Sequence, residues 1–110
     1  MKITLVQLNY HIGNFEYNTQ KIISHIQKAH ERGSDLVVFS ELAVCGYPPL
    51  DLLTRKEFVE AAKQNIQRIA TYCKGIAAVV GGPGVNPITR GKQLRNSAWF
   101  LADGVVKETI

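Results

Sequence analysis

Leu36-Val37-Val38-Phe39-Ser40-Glu41, running on through Leu42-Ala43-Val44-Cys45-Gly46-Tyr47-Pro48-Pro49, is the stretch on which the fold turns. Its unbroken apolar run of strand length, introduced by Ser34-Asp35, suits a parallel strand covered on both faces. In open α/β sheets ligands bind just beyond the carboxyl ends of the strands, and this strand delivers one carboxylate, Glu41, to that end. A Gly and two Pro stiffen the loop that follows. An acid in direct continuation of an apolar strand needs a partner or a purpose. Glu41 is therefore the first candidate catalytic residue, set against the plainer role of a loop or helix-capping carboxylate.

Upstream, Ile3 to Leu8 reads as a strand rich in β-branched and aliphatic residues. Asn14 then caps a helix whose apolar positions Ile22, Ile23, Ile26 and Ala29 keep a 3.6-residue period, with Gly33 just past its end. Downstream, Thr54-Arg55-Lys56-Glu57 is a capping box. It opens a second helix with the stripe Phe58, Ala62, Ile66, Ile69 and Cys73, which Lys74-Gly75 stops. A third strand is expected over Ile76 to Val80, then a Gly- and Pro-rich loop from Gly81 to Gly91, and a fourth strand over about Asn96 to Ala102. Asp103-Gly104 is a type I′ hairpin signal that pairs Val105 to Ile110 with that strand.

The expected class is α/β, in the order β-α-β-α-β-β-β. Two helices cannot cover both faces of five strands, and the last strand has no element after it. Residues 1–110 are accordingly expected to be a fragment, or to have one sheet face covered by a partner.

With 110 residues and 45% hydrophobic content the chain amounts to one domain at most. Thirteen Lys and Arg against nine Asp and Glu give a net charge of +4, yet the basic residues are scattered. No basic stripe with interleaved aromatics points to nucleic acid. The densest segment, Arg90-Gly91-Lys92-Gln93-Leu94-Arg95, reads as the solvated tip of a connection. Cys45 and Cys73 form neither a metal motif nor a disulfide framework, which suits a reducing compartment. The apolar N-terminus is too short for a signal-peptide core, and no run approaches membrane-spanning length. The expectation is a soluble cytoplasmic protein with neither nucleic-acid nor membrane partners.

Other candidates weigh less than Glu41. Cys45 could be paired with it as a nucleophile, but a free cysteine is more often a small buried hydrophobe. Gly81-Gly82-Pro83-Gly84 follows a strand as phosphate loops do, yet it lacks the Lys-Ser/Thr ending and opens no helix, so it reads as a plain turn. His11, His25 and His30 lack ligand spacing, no metal is expected, and Trp99 reads as core.

Taken together, Asp35 to Leu42, the Ile3 to Asn9 strand, the Asn14 to Gly33 helix and Asn96-Ser97-Ala98 resemble the start of a nitrilase-type carbon-nitrogen hydrolase. More narrowly, Gly46-Tyr47-Pro48-Pro49-Leu50-Asp51-Leu52-Leu53 resembles the glutaminase domain found in glutamine-dependent NAD synthetases. The resemblance implies an αββα sandwich, of which this chain is the N-terminal part, and hydrolysis of the glutamine side-chain amide by a Cys-Glu-Lys mechanism. Glu41 matches the general base. The matching lysine and cysteine fall after residue 110; Lys107 lies too early, and Cys45 is not the family's nucleophile. Tyr47 becomes a candidate wall of the glutamine pocket or of the ammonia exit. ATP and Mg are implied for a synthetase domain absent from this chain, and no cofactor is implied within it. A homo-oligomer is expected. Two alternatives stay open: another amidase of the same family, and a non-catalytic α/β interaction module.

Overall fold

The computed structural model describes residues 1–7, 14–40, 55–85 and 94–109, with the backbone alone at 55–59, 83–85 and 94–97. The elements are β1 (Ile3–Val6), α1 (Phe15–Glu31), β2 (Leu36–Phe39), α2 (Arg55–Ala70), β3 (Ala77–Val85), β4 (Leu94–Ala102) and β5 (Val105–Thr109). They build one five-stranded sheet in the order β1-β2-β3-β4-β5. β1, β2 and β3 are parallel, with Ile3 opposite Leu36 and Leu36 opposite Ala77, and β4 and β5 add on in antiparallel fashion. The element order matches the sequence expectation.

Local chemistry explains the ends of α1. The Asn14 side chain accepts the Tyr17 N–H at 3.1 Å, satisfying one orphan donor of the first turn. At the other end Gly33 takes φ +81 while its N–H reaches the His30 carbonyl and the Ser34 N–H reaches that of Ala29. This is the double closure of a Schellman motif, which glycine makes without strain. α2 begins at Arg55, one residue after the expected capping Thr54. Thr54 and the side chains of Glu57 and Phe58 lie outside the described residues. The helix ends at Ala70, before Cys73, because Thr71, Tyr72 and Cys73 donate to carbonyls three residues back and tighten the chain into turns. Cys73 still belongs to the packed face and is fully buried.

β3 departs from the sequence reading. It runs on through Gly81-Gly82-Pro83-Gly84 to Val85, and β4 starts at Leu94, so the expected turn at Gly81–Gly84 is strand. The turn-forming residue types are overruled by a ladder with β4 that continues from Ala78 opposite Leu101 to Val85 opposite Leu94. Pro83 is tolerated because the β2 ladder stops at Val38 opposite Val79, leaving β3 with β4 as its described neighbour beyond that point. β1 is shorter than expected, ending at Val6. Arg95 lies in β4, while 86–93, including Arg90 and Lys92, are outside the described residues. The hairpin is as expected: Asp103 and Gly104 have φ of 54° and 80°, the two positive values a type I′ turn requires.

The core lies between the helices and one sheet face. Val37 and Phe39 of β2, Ala78 and Val80 of β3, and Trp99 and Leu101 of β4 pack beneath Ile22, Ile26, Ile66 and Ile69. The alternate residues face the other way, where no described element covers them. Leu5 is 78% exposed and Ile3 and Val105 are 51% exposed, while Leu36, Val38, Val79 and Phe100 are only partly screened. Both helices therefore sit on one side, as right-handed crossovers from successive parallel strands demand.

Candidate active site at the carboxyl end of the second strand

The three parallel strands bring their carboxyl ends to one edge of the sheet, and the chain leaves β2 there through Ser40 directly into Glu41. β2 is the rigid part of this arrangement. It is hydrogen-bonded between β1 and β3, and Val37 and Phe39 lock it into the core. β3 overshoots β2 at this edge, and its Gly81 and Gly82 are buried. Glu41, Tyr47 and Cys45, the three residues singled out for chemistry, lie outside the described residues, so the described structure fixes the strand that presents Glu41 and not its carboxylate.

Other titratable groups among the described residues are accounted for without chemistry. Arg68 meets Glu16 at 2.8 Å and, with Gln20, holds its carboxyl below the usual carboxylate range; the pair is exposed and contributes little to stability. Lys107 pairs with Asp103 at 3.1 Å across the hairpin turn. His25 turns Nδ1 to its own helix at the Lys21 carbonyl. His30 lies where a Cβ on Gly75 would meet its ring at 3.1 Å, a close approach that suits glycine there along with its φ of +79°. Among the described residues no group of three or more His, Cys, Asp or Glu could hold a metal, and no helix is long and apolar enough to cross a membrane.

Cys73 is the described thiol, and its surroundings make it inert. It is fully buried, its Sγ donates weakly to the Ile69 carbonyl at 3.7 Å, and burial pushes its pKa up to about 11. The neutral thiol is favoured in the fold, whereas the unfolded chain ionises near the ordinary value of 9.0. This group therefore leaves stability unchanged below about pH 9 and erodes it as the pH rises toward 11. Under native conditions at pH 8, a thiol reagent is expected to modify Cys73 only as fast as the fold opens. Rapid stoichiometric modification of Cys73, located by peptide mapping, would contradict this placement.

One feature of the helix pair escaped the sequence reading. Asn18 and Thr19 are completely buried on the stripe that continues into Ile22, Ile23 and Ile26. Their signal was available in the phase of the helix: counted from the Asn14 cap, Thr19 and Ile22 to Ile26 fall on one face at three- and four-residue spacing. Thr19 Oγ1 donates to Asn65 Oδ1 at 3.1 Å, and Asn65 Nδ2 donates to the Ala61 carbonyl at 2.8 Å.

The comparisons with known proteins agree with this architecture. Residues 2–106 match the carbon-nitrogen hydrolase family. The chain is 40% identical over 110 residues to a glutamine-dependent NAD(+) synthetase of Xylella fastidiosa (strain Temecula1), covering 99% of this chain and 19% of that relative. Among solved structures, a glutamine-dependent NAD+ synthetase from Acinetobacter baumannii superposes with a TM-score of 0.83 at 33% identity, covering 98% of this chain and 20% of that one. An amidase from Nesterenkonia sp. superposes with a TM-score of 0.79 at 27% identity, covering 99% of this chain and 41% of that one. The chain thus spans about a fifth of the length of the synthetases it matches. With nearly its whole length matched by the family and by the fold of two of its enzymes, the chain belongs to the carbon-nitrogen hydrolases.

Proposed function

We propose that residues 1–110 are the N-terminal part of the glutamine-hydrolysing domain of a glutamine-dependent NAD synthetase. The supporting observation is the 40% identity to such a synthetase over 99% of this chain. In this reading Glu41, which follows the carboxyl end of β2 by sequence, is the general base. It takes the proton of a cysteine thiol supplied by a later part of the polypeptide, and the thiolate attacks the side-chain amide carbon of glutamine. A lysine, also from beyond this chain, stabilises the oxyanion of the tetrahedral intermediate. Glu41 returns the proton to the departing nitrogen, ammonia leaves, and a water activated by Glu41 cleaves the thioester to give glutamate and the free thiol. Tyr47, close after Glu41 on the Pro-stiffened segment, forms a wall of the glutamine pocket or of the ammonia exit. The ammonia then serves ATP-dependent amidation of deamido-NAD.

The described residues do not fit ATP or Mg. They hold no acidic cluster for the cation, and Gly81-Gly82-Pro83-Gly84 is strand rather than an anion loop at a helix N-terminus. Both belong to a synthetase domain outside this chain. A cytoplasmic enzyme acting on these soluble metabolites accords with the free, buried Cys73. A second reading, an amidase acting on simple amides, has the superposition on the Nesterenkonia amidase in its favour. Ammonia release by the full-length polypeptide separates them: glutamine as the preferred substrate supports the synthetase, and preference for short aliphatic amides supports the amidase.

The open sheet face carries a proposal about assembly. Ile3, Leu5, Val38, Val79 and Phe100 form a continuous apolar surface. We infer that in isolation residues 1–110 associate with themselves to cover it, since soluble monomers seldom expose apolar patches beyond a few hundred Å². Sedimentation of the isolated chain is expected to show dimers or larger species, and Leu5→Lys combined with Val38→Lys should shift them toward monomer. A wild-type chain that stays monomeric at high concentration would contradict this. The full-length enzyme is also proposed to be a homo-oligomer.

A further inference from the structure

We draw no further inference here: the strongest candidate, the stripe of small residues in which Gly81 and Gly82 of β3 pair with Ala98 and Ser97 of β4 beside the carboxyl end of β2, carries nothing because no second observation among the described residues points to a ligand there.

Discussion

Glu41→Gln in the full-length polypeptide is expected to abolish glutamine-driven NAD formation, by at least about a hundredfold, while NAD formation from free ammonia continues. Glutamine keeps the size and most of the hydrogen bonding of glutamate and cannot accept the thiol proton, so the loss falls on chemistry rather than folding. Addition of ammonium bypasses the step that needs the base. Paired assays with the two nitrogen sources on one preparation make the comparison internal. Loss of both activities together would make Glu41 a folding residue and remove the basis for its catalytic role.

Ile66→Ala is expected to give a stability loss typical of the fully buried aliphatic positions of the described core. Ile66 is almost fully buried between α2, α1 and the covered sheet face, alongside Ile22, Ile26 and Ile69. Truncating such a side chain removes its transfer free energy and leaves a cavity that three surrounding elements cannot readily fill, a loss of about 2–5 kcal/mol. The test is the denaturant midpoint of the polypeptide that carries the substitution. A loss under about 0.5 kcal/mol, the range of ordinary surface changes, would mean that α2 does not pack as described.

Much of the fold was legible because the decisive signals are local. Asn14 and Gly33 mark the two ends of α1 through hydrogen bonds made within a few residues. Asp103-Gly104 determines its hairpin through two positive φ values. The apolar run of β2 announces burial on both sides. Gly81-Gly82-Pro83-Gly84 was misread as a turn because its composition is that of one, and the ladder that keeps it extended is made with residues more than ten positions further along the chain. Propensity yields to such non-local pairing. The early end of α2 was hidden for a related reason: Cys73 stays on the packed side after the helical hydrogen bonds have given way to turns. Of the candidate site, the strand that presents Glu41 was legible from its apolar run. The hydrogen bond between the helices was not, because a lone threonine on a helix stripe reveals its partner only when a second helix, 46 residues on, places Asn65 against it.

The reading of this chain as part of a glutamine-fed NAD synthetase rests most directly on the origin of one nitrogen atom. The full-length polypeptide is supplied with ATP, Mg, deamido-NAD and glutamine labelled with nitrogen-15 in its side-chain amide, and the NAD formed is examined by mass spectrometry. The expected result is nitrogen-15 in the carboxamide of NAD, lost when Glu41 is replaced by Gln. Glutamine left intact, or hydrolysed with no labelled NAD appearing, would contradict the account.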